Sequence, residues 1–430
     1  VDGTNPEHLS PGSDLENWQL PANLRWSFQH IADFLPTQAI PRGRGPVAAL
    51  PAEPRELEGI MLDPAFVGDA PMSVGSVMAS TDTDGWMLLR DGRVLAERYF
   101  GTMGPGTPHL LMSVSKSLVG AVAGALCDSG ALDPRALLTS YIPQLADTGY
   151  AGATVRQLLD MRSGIAFSED YLDPRAEVRK LEEAIGWAPP AVPGPVGLYP
   201  YLMTLGQKGA HGGPFEYKSC ETDMLGWICE TVSATPMPEL MSKLLWGKLG
   251  AESDAVIGTD QFGTGMFDGG INATLRDLAR FGTLFLNDGL SLTGERVLSA
   301  DWIQQTLAGA GDSREAFAAS PGDNRMPGGM YRNQMWFPYA SNDVLLALGI
   351  HGQMVYINRP ARVVAVKLSS WPLPQDAAKL FGTLRAFDAI CAALPVPPSG
   401  AGQGAGNAQP EKPATTVPSR APGATTNTPS

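Results

Sequence analysis

Residues 109–126 read His-Leu-Leu-Met-Ser-Val-Ser-Lys-Ser-Leu-Val-Gly-Ala-Val-Ala-Gly-Ala-Leu. From Ser113 onward small and apolar residues recur at helical spacing, which predicts a buried helix over 113–126. Gly120 and Gly124 thin one face of it, so another element is expected to approach closely there. Ser113 and Lys116 are three residues apart, which places the hydroxyl and the amine on the same face. A neutral serine is a poor nucleophile and needs a base. An amine held in a semi-buried site near a helix start is expected to have its pKa lowered enough to serve as one. The same helix start leaves backbone N–H groups facing a developing oxyanion. Chance alone can supply Ser-x-x-Lys, so the weight falls on what accompanies it.

Outward from this stretch, 86–100 reads as a hairpin, with apolar runs flanking Asp91-Gly92, a pair suited to positive φ. The runs 344–350, 354–357 and 363–368 are β-rich and separated by turn residues, and 376–394 returns to a helical pattern. These runs complete the sheet begun at Trp86. Between about 129 and 304 the patterns are mainly helical: Thr154 caps one helix, and 223–232 and 275–287 read as others. The reading is an α/β fold of two lobes. An antiparallel sheet flanked by helices (76–128 with 305–394) carries an inserted, mainly helical lobe (129–304). Residues 1–75 read as an arm tacked on by Trp18, Trp26, Phe28 and Phe34, and 395–430 as a disordered tail too poor in large apolar residues to order.

The composition narrows the function. With 430 residues, 43% of them hydrophobic and 17% charged, the chain can bury a large core. No run of about eighteen apolar residues predicts a membrane partner. A net charge of -13 with scattered arginines repels phosphate backbones, so no nucleic-acid partner is expected. Cys127, Cys220, Cys229 and Cys391 form no Cys-x-x-Cys pair and read as free thiols, which favours a reducing, cytoplasmic location; no signal-peptide pattern follows Val1. His8, His30, His109, His211 and His351 make no ligand set, so neither a metal nor a cofactor is expected. A Ser-His-Asp hydrolase is disfavoured because the chain has no Gly-x-Ser-x-Gly elbow.

Four runs carry a resemblance: 109–118, Glu169-Asp-Tyr-Leu-Asp-Pro174, Gly349-Ile-His-Gly-Gln353 and Val366-Lys-Leu-Ser-Ser-Trp-Pro372. Together with Tyr217-Lys218-Ser219 and Leu348-Gly349-Ile350 they resemble the 6-aminohexanoate-dimer (nylon-oligomer) hydrolases of the class C β-lactamase and DD-peptidase superfamily, over roughly 14–394. The resemblance implies a β-lactamase-like fold in which Ser113 is acylated and Lys116 and Tyr217 move protons. It implies an oxyanion hole made by the N–H groups of Ser113 and Ile350. Tyr171 would contact the scissile amide, Trp336 would form an aromatic wall, and Ser219 would complete the Tyr-x-Ser element. Glu182 falls near an aspartate that holds the substrate's ammonium group in that family, and Asp268 falls where asparagine or histidine stands. Both are therefore substrate-binding candidates at positions that depart from the pattern. His351 is a candidate to replace, in part, the cation of Lys-Thr-Gly.

Taken singly, Glu169, Asp170 and Lys218 read as solvated charges and Cys220 as a packed thiol. The implied reaction is hydrolysis of a small linear amide or short-chain ester without a cofactor, by a protein for which a homodimer is allowed. The alternatives are a carboxylesterase with little amidase activity, a β-lactamase or DD-peptidase-like enzyme, and a silent ligand-binding protein.

Overall fold

Asp91 and Gly92 adopt φ of 48° and 75°, the geometry of a tight two-residue hairpin turn whose twist matches its strands. In the computed structural model, which describes residues 14–64, 70–320 and 326–395, that hairpin is the seed of the main sheet. The strands in chain order are β1 (Thr37–Ile40), β2 (Met61–Leu62), β3 (Met72–Ser73), β4 (Thr83–Arg90), β5 (Arg93–Tyr99), β6 (His109–Leu110), β7 (Ala255–Gly258), β8 (Ile271–Ala273), β9 (Met330–Arg332), β10 (Met335–Phe337), β11 (Val344–Gly349), β12 (Gln353–Asn358) and β13 (Val363–Ser369). A seven-stranded sheet runs β5-β4-β13-β12-β11-β10-β9, antiparallel at every pairing. Residues 396–430, which hold nearly all of the expected tail, lie outside the described residues.

Both faces of this sheet are covered, and the period-2 alternation of strands divides them. Met87, Leu89, Val355, Ile357, Val364 and Val366 pack on one side, against the helices Val114–Asp128 and Leu275–Leu286. Trp86, Leu88, Leu346, Met354 and Ala365 pack on the other, under the helices Val74–Ser80 and Ala377–Ala393. Two-sided burial explains why β13 is apolar almost throughout rather than alternating. Its exceptions are the terminal Ser369 and Lys367, which lies fully buried with Nζ 3.1 Å from the Thr81 carbonyl.

The helix expected over 113–126 spans Val114–Asp128. A Cβ at Gly120 would lie 2.8 Å from Gln334, and one at Gly124 would lie 2.6 Å from the Trp302 indole, so the thinned face admits two separate neighbours. Thr154 caps Val155–Leu159 in a capping box with Gln157, the helix Leu275–Leu286 stands where the pattern put it, and the one expected over 223–232 begins earlier, at Ser219.

The 129–304 stretch differs from a mainly helical lobe in one respect. It contributes β7 and β8 to a second sheet, ordered β1-β7-β8-β6, whose other strands come from the expected arm and from the segment just before Ser113. The arm is therefore integral. Trp18, Leu24 and Phe28 are buried in the main core, Phe28 accepts a hydrogen bond from the Leu110 N–H at 2.7 Å, and the described residues through Pro395 pack as one unit. Among the described residues no helix is long and apolar enough to cross a membrane.

Candidate active site

Ser113 sits at the N-cap of the Val114–Asp128 helix, but its side chain caps nothing. The hydroxyl is instead turned toward Lys116, whose Nζ donates to Ser113 Oγ at 2.8 Å. The residue before it, Met112, has φ of 47°. A left-handed backbone costs a non-glycine residue about 1–3 kcal/mol, and here it brings the serine to the helix mouth. Lys116 is buried to 1% exposure and also donates to Ser219 Oγ at 3.1 Å and to the Asp268 carbonyl at 2.8 Å. Asp268 Oδ2 stands 3.4 Å from the same nitrogen. Tyr217 precedes the Ser219–Ser233 helix, with its ring centroid 5.1 Å from Lys116 Nζ and its hydroxyl toward Ser113. Ser113, Lys116, Tyr217 and Ser219 are thus brought together.

The electrostatics correct one expectation. Burial alone would lower the pKa of Lys116, but Tyr217, Asp268, Glu169 and Asp223 outweigh it and raise the pKa above the ordinary lysine value. The amine rests as an ammonium ion. Burial pushes Tyr217 up, partly offset by Lys116 and by its bond to Ser113. Burial, then repulsion from Asp268, pushes Asp223 well above the usual carboxylate range. The Asp268 N–H donates to Asp223 Oδ1 at 3.0 Å, while Asp223 Oδ2, Asp268 Oδ1 and Glu169 Oε2 are buried and unpartnered among the described residues.

Ile350 begins a short turn at the end of β11 rather than lying inside a strand. Its neighbour Gly349 explains how it comes near the nucleophile: a Cβ there would lie 2.6 Å from the Leu111 carbonyl, so only glycine lets β11 approach the Leu111–Ser113 backbone. Ser113 and Ile350 line one cavity of about 800 Å³, together with Tyr171, Tyr217 and Trp336. Trp336 lies against the Tyr217 ring at 5.2 Å between centroids. Tyr171 lies beside Glu169, whose carboxylate accepts the Ser219 N–H.

Three candidates lie elsewhere. Asp268 stands behind Lys116 and is absent from the cavity wall. Glu182 lines a separate depression of about 290 Å³ with Gln19 and Arg179, and Arg179 holds its carboxylate at 2.7 Å. His351 is no substitute cation. It is buried, with Nδ1 2.6 Å from the Trp371 carbonyl and its ring edge-on to Phe28, and burial lowers its pKa to about 4.

Sequence reasoning missed three residues. Lys218, read as solvated, is fully buried. Its Nζ donates to the Ser163 carbonyl at 2.6 Å and pairs with Glu221 at 3.2 Å, which fixes the backbone on which Tyr217 stands. The i, i+3 spacing of Lys218 and Glu221 was its only local signal. Glu169, read as solvated, anchors Ser219 and Tyr171, and its place in the Glu-Asp-Tyr run was the available clue. Gln334 had none. Its buried carbonyl accepts from Ser117 Oγ at 2.7 Å and its Oε1 from Thr222 Oγ1 at 2.8 Å, which ties the Ser113 helix to the helix that follows Tyr217.

Among the described residues no group of three or more His, Cys, Asp or Glu side chains is placed to hold a metal ion. Comparison with known proteins agrees with the geometry. The chain is 40% identical over 383 residues to the 6-aminohexanoate-dimer hydrolase of Paenarthrobacter ureafaciens, covering 87% of this chain and 94% of that protein. A solved structure from Bacillus anthracis, provisionally named 6-aminohexanoate-dimer hydrolase, superposes with a TM-score of 0.80 at 26% identity, over 89% of this chain and 98% of that one. A family VIII carboxylesterase shares the fold alone, with a TM-score of 0.55 at 15% identity over 73% of this chain and 96% of that one. The β-lactamase family model matches residues 76–388. Fold, site geometry and these likenesses agree: the chain belongs to the β-lactamase family and is a hydrolase of that family.

Proposed function

We propose that the protein hydrolyses linear amides and short-chain esters of small molecules through an acyl-enzyme on Ser113. The observation that carries this is the hydrogen bond from Lys116 to Ser113 Oγ at 2.8 Å with the Tyr217 ring 5.1 Å from the same amine. The Lys116–Tyr217 pair acts when it holds one proton fewer than its full complement. As Ser113 Oγ bonds to the carbonyl carbon, its proton passes to the pair. The N–H groups of Ser113 and Ile350 hold the oxyanion, and the pair returns the proton to the leaving amine or alkoxide. Water then repeats the sequence on the acyl-enzyme. The ammonium form of Lys116 lowers the cost of charge on Tyr217, so the pair replaces the neutral lysine base expected from spacing alone.

A nitrophenyl ester and a linear amide test the reading. Ser113→Ala should lose turnover of both while its far-UV circular dichroism and melting temperature stay those of the parent, and mass spectrometry of the parent should catch the acyl adduct on Ser113. Retained turnover in Ser113→Ala refutes it.

A second reading, a carboxylesterase with little amidase activity, has one observation in its favour. Glu182 is neutralised by Arg179 and lies off the main cavity, which leaves it poorly placed to hold a free ammonium group. A panel of the 6-aminohexanoate dimer, its N-acylated form, simple esters and a cephalosporin separates the readings: preference for the free amine favours the first, and hydrolysis of esters alone the second.

A further inference from the structure

An N–H donor stabilises an oxyanion best when its direction is fixed before the charge develops. The peptide that carries the Ile350 N–H begins at Gly349, which has no Cβ to restrict its rotation, so the turn that follows has to hold it. That turn is pinned. A peptide is planar, and tying down both its carbonyl and its N–H therefore fixes the whole unit. In the Ile350–His351 peptide the carbonyl accepts from Gln353 Nε2 at 3.3 Å, and the His351 N–H donates to the Pro374 carbonyl at 2.8 Å. In the next peptide the His351 carbonyl accepts the Trp371 N–H at 3.1 Å and Gln353 Nε2 at 3.2 Å.

His351 is where these two units join. Its φ of 59° and ψ of 17° are left-handed, a conformation that histidine, asparagine and aspartate enter more readily than other side chains. Its ring is buried, with Nδ1 2.6 Å from the Trp371 carbonyl. A carbonyl only accepts, so Nδ1 carries the proton. Main chain and side chain of one residue are thus both tied to the 371–374 segment. That segment is anchored in turn: Trp371 Nε1 donates to the Thr81 carbonyl at 2.8 Å, and the Ser370 N–H donates to the Asp82 carbonyl at 3.0 Å. A Cβ on Gly352 would lie 2.3 Å from the Trp371 indole, so the turn rests directly on that ring. Burial lowers the His351 pKa to about 4, which keeps the imidazole neutral near pH 7, a fixed donor that brings no charge to the site.

We propose that His351 is a positioning residue for the reaction: its left-handed backbone and its Nδ1–H bond to the Trp371 carbonyl together aim the Ile350 N–H at the oxyanion that forms as Ser113 attacks. The inference rests on the Ser113 reading above, with its Ile350 donor, and deepens it. His351 acts through its neighbour and touches no reacting atom.

Three substitutions separate the backbone from the bond. His351→Ala loses the bond and the ready access to a left-handed backbone, His351→Gly keeps the backbone without the bond, and His351→Asn keeps the backbone and returns an amide N–H toward the Trp371 carbonyl. Removing an oxyanion donor outright costs about 10²–10³ in kcat, and mis-aiming one should cost His351→Ala about tenfold or more on a nitrophenyl ester, per folded molecule. KM should stay within about twofold, because the interaction lost belongs to the transition state. His351→Asn should recover most of the kcat, with His351→Gly between the two. An alkylboronic acid, which adds to Ser113 and sets an oxygen where the oxyanion forms, should lose affinity in step with kcat/KM; a loss of fold stability alone would not move it. Parent kcat in His351→Ala, a loss confined to KM, or unchanged boronic acid affinity overturns the inference while the Ser113 reading stands. Should His351→Ala fail to fold, the remaining pair decides: kcat in His351→Asn above that in His351→Gly supports the inference, and parity or the reverse overturns it. Failure of the parent to turn over any ester or amide overturns both.

Discussion

Lys116 and Asp268 meet twice, through the Asp268 carbonyl at 2.8 Å and through its carboxylate at 3.4 Å. The ammonium is therefore held by a backbone dipole that no substitution removes and by a side-chain charge that one can remove. Tyr217, Glu169 and Asp223 also face it from the loop and helix packed around it. In Asp268→Asn the ammonium loses one of the anions that raise its pKa. The pair then sheds its proton at lower pH, and the acid limb of kcat/KM for a nitrophenyl ester should move down by about one pH unit or more. An unmoved limb would show that Asp268 does not tune the pair.

Tyr217→Phe separates the two kinds of substrate. An amine leaves poorly without a proton and nitrophenolate leaves readily, so the variant should lose about 10²–10⁴ in kcat on an amide and markedly less on a nitrophenyl ester. Equal losses would argue against Tyr217 as the acid to the leaving group.

Removing Lys218 should be a stability lesion before it is a catalytic one. Lys218→Met strands Glu221, which burial already pushes up to about 7, with no cation beside it. Breaking a buried pair from one side costs about 3–5 kcal/mol, read as a fall in the urea midpoint. The double variant with Glu221→Gln should recover part of that loss. Full stability in Lys218→Met would show that the clamp under Tyr217 is dispensable.

His351 gives the fold an acid sensitivity of defined sign. Its folded pKa of about 4 lies below the ordinary histidine value of 6.5, so between these values the unfolded chain binds a proton that the folded one refuses. Stability is lost as pH falls through that window, by up to about 3 kcal/mol. His351→Gln should lose less on going from pH 7 to pH 4.5 than the parent does, as followed by urea unfolding at each pH. Identical acid slopes would contradict this.

Much of the fold was legible because its signals are local. The Asp91-Gly92 turn, the β-rich runs of β11 to β13 and the cap Thr154 each announce an element within a few residues. The small sheet had no such signal. β1 and β6 are four and two residues long and find their partners far along the chain, where alternation cannot be recognised. The site divides the same way. Ser113 with Lys116 is an i, i+3 pattern, and Tyr217 was found through its motif. The charge state of Lys116 is set by Tyr217, Asp268, Glu169 and Asp223, which the fold brings together from distant segments. Glu169 and Lys218 were misread because a charged residue in sequence carries no mark of the buried partner that will claim it.

The small sheet has a practical consequence. Its order β1-β7-β8-β6 places Thr37–Ile40 at one edge and His109–Leu110, three residues before the nucleophile, at the other. Phe28 reaches the same segment directly through the Leu110 N–H. Trimming the chain through Phe28 removes the carbonyl that holds the Leu110 N–H beside the strand leading to Ser113. Because Phe28 is also part of the main core, such trimming should cost fold stability and turnover together.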